Sequence, residues 1–373
     1  MRKYKKELIL VSLIVLLIRL IFIDYESGDY TIFLRPWVNY MRNNGGILSL
    51  KDTFTNYNLP YLTILSIISY IPLNSLLFIK IISIIFDFLI AYYGYKIIKE
   101  LVNKEVGSIA YMVLLLLPTV FLNSSAWGQC DSIYTCFVLM SIYFLIKNKY
   151  IKSFIFLGVA FAFKLQFVFI LPVYIILFFI KKDIKLWHFL LIPLTNFILC
   201  IPGMLVGASP FYTYKIYFMQ TGDGIDSLNV MNPYNYIEAS RYNNFIGICI
   251  TMTIFFFLLV FCYKLIKDKF NNKKLITLSL LSVLICYFFL PCMHERYMYM
   301  ADILSVIWFI IYKRNIFIPI VINLCSLITY IFYLCRVDYF YMDIAYKFFP
   351  PFLLVVILLL VMELFNNDEK IIV

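Results

Sequence analysis

His294, Glu295 and Arg296 stand side by side in a short polar stretch between two apolar runs. A titratable ring, an acid and a fixed cation packed so densely beside hydrocarbon are unfavourable unless they are partnered or used. Asp131 and Gln129 occupy a second short turn, Trp127-Gly128-Gln129-Cys130-Asp131-Ser132, and Glu26 and Asp29 follow the first apolar run at a spacing that lets both face one cavity. Lys164 and Gln166 interrupt the apolar stretch 153–180. The set holds carboxylates, cations and an imidazole, but no nucleophile elbow, P-loop or glycine-rich dinucleotide loop. Phosphate is bound by fixed cations, and the Arg296 guanidinium offers it a bidentate fork. Moving a sugar from a phosphate leaving group to a hydroxyl needs a carboxylate to take the hydroxyl proton and cations to stabilise the departing phosphate. Both kinds of group are present, and a lipid-borne phosphate substrate suits them.

Other polar residues have plainer readings. Asp24, Arg42, Asp52 and Asp223 read as solvated loop charges. The Asn123-Ser124-Ser125 sequon abuts the end of an apolar run and reads as chance. Asp87 lies inside an apolar run, where it either caps a helix contact or does chemistry. His188 beside Trp187 reads as an interfacial anchor. The nine cysteines form no C-x-x-C pair and read as inert apolar filler.

The elements that must position these groups are set by composition. Of 373 residues 63% are hydrophobic and 14% charged, and the mean hydropathy is +0.89, far from a soluble domain. The chain reads as a multi-pass integral membrane protein, a single membrane domain over residues 1–373. The net charge of +11 sits in short clusters between apolar runs, which speaks for topology and against nucleic acid. Arg2, Lys3, Lys5 and Lys6 before an apolar stretch resemble a signal peptide, but Ile23-Asp24-Tyr25-Glu26 offers no small-residue cleavage site, so an uncleaved first span is expected.

Basic clusters at 2–6, 96–104, 147–152, 181–185, 264–274 and 313–314 should face the cytoplasm. With roughly 17–25 residues per span, sign accounting then yields about twelve crossings with both termini cytoplasmic. It makes 24–80 one outer loop in which 61–78 is interfacial or re-entrant, with a span at 81–97. It also splits 153–180 into two short spans meeting at Lys164-Leu165-Gln166, and leaves 207–244 as a second large outer loop. No internal repeat is visible, so an inverted-repeat transporter plan is not suggested. Under this topology every unusual polar residue lies on the non-cytoplasmic side.

A first span, a long acidic outer loop containing Asn58-Leu59-Pro60-Tyr61, then Trp127-Gly128-Gln129-Cys130-Asp131-Ser132, Phe163-Lys164-Leu165-Gln166 and His294-Glu295-Arg296-Tyr297 together resemble the GT-C superfamily of polyprenyl-phosphate-sugar glycosyltransferases. The likeness is to bacterial relatives of the GPI-anchor mannosyltransferases, and also to the dolichyl-phosphate-glucose glucosyltransferases, and it spans most of residues 1–300. It implies a GT-C-like all-α bundle carrying interfacial helices in its outer loop, in a bacterial plasma membrane. The implied reaction is inverting transfer of a hexose such as mannose or glucose to a hydroxyl on a glycan or lipid-linked acceptor. Asp29 maps to the base, with Glu26 and Asp131 as the accompanying carboxylates. Lys164, Arg296 and His294 would meet the donor phosphate. Gln129, Gln166, Glu295, Tyr297 and Asn232 would hold sugar or acceptor. The spacing of Glu26 and Asp29 departs from the Asp-x-Asp or Asp-x-Glu of several members, so the choice of base stays open. The two carboxylates could hold Mg²⁺ or Mn²⁺, and a metal-free reaction fits equally. The segment 227–235 is similar to an asparagine-containing loop of these enzymes, or else its Asn residues satisfy their own backbone. A lipid-substrate transporter or flippase, and a glycan polymerase or ligase, are the competing readings.

Overall fold

The computed structural model describes residues 4–222 and 230–366. Arg2, Lys3, Asp223 and the first three residues of the segment 227–235, named above, lie outside the described residues. The chain is 80% helical with no strands among the described residues. In order the helices are α1 (Lys5–Ile21), α2 (Arg35–Asn43), α3 (Leu59–Ser69), α4 (Ser75–Leu101), α5 (Lys104–Leu116), α6 (Pro118–Phe121), α7 (Asp131–Ile146), α8 (Tyr150–Phe163) and α9 (Leu171–Ile180). There follow α10 (Leu186–Leu205), α11 (Tyr212–Gly222), α12 (Arg241–Phe261), α13 (Asn272–Phe289), α14 (Tyr299–Tyr312), α15 (Phe317–Cys335), α16 (Tyr339–Phe348) and α17 (Pro350–Phe365).

Among the described residues six helical segments are long and apolar enough to cross a bilayer, or seven if the bent pair Lys104–Leu116 and Pro118–Trp127 is one span. The expected twelve crossings are therefore corrected. Sign accounting counted as spans the 16-residue α7 and the 14-residue α8 and α14, which fall short of the roughly 20 residues a bilayer needs. The first helix has 17 residues and carries Lys5, Lys6, Glu7 and Arg19. The 24–80 loop is also shorter than expected. The span expected at 81–97 starts at Ser75, so residues 75–80 belong to it rather than to the interfacial segment. Between the first helix and that span lie α2 and α3. In α12 the span window has a mean hydropathy of 2.7, yet only 22% of it is buried by protein. Such an apolar and uncovered surface is stable only against lipid. The protein is thus an all-α, multi-pass membrane protein.

The chain divides into two compact units, the first of Met1–Ile97, Gly107–Phe167 and Leu186–Asp223, the second of Ile98–Val106, Val168–Lys185 and Gly224–Val373. In the first, α7 and α8 form a hairpin closed by Ser141 and Ser153, whose hydroxyls bond each other at 3.0 Å. α8 crosses α10 closely at Gly158, where an added Cβ would lie 2.9 Å from the Ile192 carbonyl oxygen. Small residues permit such approaches where packing, not water, drives helix association. Two breaks shape this unit. Leu117 is extended before Pro118, and the chain bends there by 52°, because proline disfavours a helical residue before it. α8 ends at Lys164, whose backbone is extended.

The second unit is built around α13, buried on nearly all sides from Lys274 to Phe288. α14 packs on it, with the Trp308 indole donating to Thr277 at 3.0 Å. α14 is in turn tied to α15 by Ser326, which donates to the buried Asp302 at 2.8 Å. Arg314 pairs with Glu363 of α17 at 3.0 Å.

Candidate active site

The loop after α1 delivers Asp29, and the turn before α7 delivers its partners. Trp127 ends a π-helical turn over Leu122–Trp127, and Gly128 follows with φ of +75°. That left-handed conformation is open to glycine at little cost. It reverses the chain so that Trp127 and Gln129 both reach Asp29. The Trp127 indole donates to the Asp29 carboxylate at 3.0 Å, and the Gln129 amide donates to the same oxygen. Ser27 locks the two segments together, donating its hydroxyl to the Trp127 carbonyl at 2.7 Å while accepting the Tyr30 N–H. Asp29 is half-buried, so its carboxylate is oriented without being sealed off.

Asp131, two residues past Gln129, is fully buried. One of its oxygens pairs with the Lys164 ammonium, and the other accepts from the Asn123 amide at 3.2 Å. Lys164 stands where α8 breaks, and the break frees carbonyls that must be satisfied in a waterless interior. The Tyr217 hydroxyl donates to Phe161 O at 2.6 Å, and the Asn58 amide donates to Ala162 O at 2.7 Å. Asn58 also accepts the Leu59 N–H at the start of α3, so one buried side chain anchors α3 and the end of α8. Burial pushes the Tyr217 phenol well up, which keeps it a neutral donor. Gln166 is buried just past the break.

Beside this turn the Cys130 thiol lies 3.8 Å from the Tyr57 hydroxyl. The Tyr57 ring rests between Trp37 and Tyr61, with centroids 5.3 and 5.2 Å away. Glu26 does not share a partner with Asp29. Its exposed carboxylate pairs with Arg35, which also lies over the Tyr30 ring at 4.9 Å. Among the described residues no group of three or more His, Cys, Asp or Glu side chains comes together. Asp29 is held by Trp127 and Gln129 and Glu26 by Arg35, so the two carboxylates are engaged by different partners.

In the second unit His294, Glu295 and Arg296 do form one cluster. The buried Glu295 carboxylate lies 3.3 Å from the Arg296 guanidinium and 3.8 Å from His294 Nδ1. The Glu295 carbonyl accepts from Thr329 of α15 at 3.2 Å. Tyr297 meets the His294 ring edge-on at 5.2 Å. Asn232 is buried and caps its own turn, accepting the Tyr234 N–H at 3.2 Å, while the Asn235 amide donates to Val230 O and Asn232 O.

The structure thus brings Asp29 to Gln129, and Asp131 to Lys164, within the first unit, and His294, Glu295 and Arg296 together within the second. Sequence reasoning gave no role to Trp127, Ser27, Tyr57 or Asn123. Asn123 was read as a chance sequon, yet its amide holds Asp131.

What fold and site define is a helical membrane protein in which one short turn, residues 127–131, holds both an oriented carboxylate, Asp29, and a buried cation, Lys164. Set against known proteins, the chain matches no family model and no curated protein.

Proposed function

We propose that this protein is a membrane glycosyltransferase of GT-C-like architecture that moves a hexose from a polyprenyl-phosphate donor to a hydroxyl acceptor on the non-cytoplasmic face. The observation that carries the reading is Asp29, half-buried and held by Trp127 and Gln129 of the same turn whose Asp131 pairs with Lys164. Asp29 takes the proton of the acceptor hydroxyl as its oxygen attacks the anomeric carbon from the face opposite the donor phosphate. The anomeric C–O bond breaks, the electron pair leaves with the polyprenyl phosphate, and the configuration inverts. Lys164 is the cation for the departing phosphate, and Asp131 with Asn123 keeps it in place. The half-buried ring of Tyr57 offers an apolar face for a sugar. In the second unit Arg296 has a guanidinium suited to a phosphate and His294 a titratable ring.

The test is transfer by the purified protein in proteoliposomes. Radiolabelled undecaprenyl-phosphate mannose and undecaprenyl-phosphate glucose are supplied with a membrane lipid extract as acceptor. Label should appear in a new lipid or glycan product, and Asp29→Asn should abolish it while the protein still inserts. A flippase or transporter is favoured by one observation, the ion pair of Arg19 and Asp87 inside the helical unit. Movement of the label across the vesicle without covalent change would establish that reading and end this one. Activity confined to diphosphate-linked oligosaccharides would instead point to a polymerase or ligase.

A further inference from the structure

Three fully buried polar residues, Lys80, Ser83 and Asp87, stand at i, i+3 and i+7 on α4 and so share one helix face. Each grips a different piece of the Asp29 site. The Lys80 ammonium donates to the carbonyls of Phe22, Ile23 and Tyr25 at 2.7, 3.0 and 2.6 Å. These residues end α1 and lead directly into Glu26-Ser27-Gly28-Asp29. A lysine can satisfy the orphan carbonyls of a helix C-terminus, and this one does so across more than fifty residues of chain. Its stem also forms the floor under Gly128, whose absent Cβ would lie 3.6 Å from Lys80 Cγ. Ser83 donates to the Gln129 carbonyl at 2.7 Å and accepts the Ser132 hydroxyl on its own carbonyl at 3.0 Å. Asp87 accepts from Ser124, within the π-helical turn that ends at Trp127, and from Arg19 of α1 at 2.9 Å. One face of α4 thus holds the segment carrying the carboxylate and the segment carrying both its donors.

We propose that the Lys80, Ser83 and Asp87 face of α4 is the positioning device of the site, setting the distance and angle at which Gln129 and Trp127 meet Asp29. These are positioning residues and touch no substrate. The inference rests on the glycosyltransferase reading only for its kinetic arm.

Its main test needs no turnover. Asp29→Cys and Gln129→Cys are combined, treated in membranes with a short bifunctional thiosulfonate, and the 29 to 129 link is quantified by peptide mapping. Adding Lys80→Met should lower that link at least fivefold, and adding Ser83→Ala at least twofold, with the protein still inserted at the wild-type level. An unchanged yield in both would overturn the proposal. Should Lys80→Met fail to insert, Ser83→Ala decides the matter, because it removes one hydroxyl and no charge. In the kinetic arm, Ser83→Ala should lower kcat severalfold with KM for the polyprenyl-phosphate sugar within twofold, and Ser83→Thr should restore kcat. The effects of Ser83→Ala and Gln129→Ala should also be non-additive. Additive losses, or a change in KM alone, would count against positioning. The expected crosslinking in the Asp29→Cys, Gln129→Cys background, together with no sugar transfer by the wild-type protein, would refute the function and leave the device standing.

Discussion

Asp131 divides its carboxylate between two partners, one oxygen meeting the Lys164 ammonium and the other the Asn123 amide. Removing one member of a buried ion pair leaves an uncompensated charge in low dielectric, whereas removing both does not. Lys164→Ala and Asp131→Ala should each destabilise the protein by about 3–5 kcal/mol, and the double variant by clearly less than the sum. Denaturant unfolding in a mild detergent measures this. Additive losses would mean that the two groups are not paired.

Asp29 has a different status, because it is half-buried and bound by neutral donors. Asp29→Asn keeps the shape and removes the base, so it should insert normally and lose about 10²–10⁴ in kcat, the usual contribution of general base catalysis. Initial rates with a polyprenyl-phosphate hexose give the number, and a variant within tenfold of wild type would move the base elsewhere. Glu26→Gln should cost little, because its carboxylate is exposed and occupied by Arg35.

Much of this arrangement was legible in the residues, and the remainder was hidden for a physical reason. Apolar runs of span length mark α10, α12 and α15, because composition over 18 or more residues suffices to identify them. The break at Lys164 was also legible, since a lysine at mid-run is incompatible with one continuous span. Pairings were not. Lys80 was read as the edge of an outer loop, yet its three carbonyl partners lie at 22–25, and no local spacing encodes a bond over such a separation. Asp87 was recognised as a helix contact or a functional group, but Arg19, its partner, lies 68 residues away. The count of crossings failed because basic clusters fix the sign of a loop but not whether a 14-residue helix reaches across. α11 was missed because Tyr212–Gly222 carries little apolar periodicity.

The capped break makes its own prediction. Tyr217→Phe removes only the hydroxyl that satisfies Phe161 O, leaving a buried carbonyl unpaired at about 1–3 kcal/mol. Asn58→Ala should cost more, because that amide serves Ala162 O while its oxygen accepts from Leu59 and Thr213. Thermal unfolding should rank them in that order. Equal stability of Tyr217→Phe and wild type would show that the carbonyl finds another donor.

Sidedness follows from the proposed reaction and is open to direct measurement. Asn44, just past α2, and Asn148, in the α7 to α8 turn, are both exposed, and the basic cluster at 147–152 predicts a cytoplasmic position for the second. Single variants Asn44→Cys and Asn148→Cys should therefore label oppositely in intact cells with a membrane-impermeant maleimide, the first readily and the second only after permeabilisation. The exposed native Cys249 and Cys335 are first replaced by serine. Under the proposed function the donor would be used on the face where α2 lies, because Asp29 leads into α2 through the turn Tyr30–Leu34. Labelling of Asn148→Cys from outside, with Asn44→Cys protected, would put Asp29 on the cytoplasmic side. Cytosolic nucleotide sugars would then be the accessible donors, and a polyprenyl-phosphate mechanism would lose its rationale.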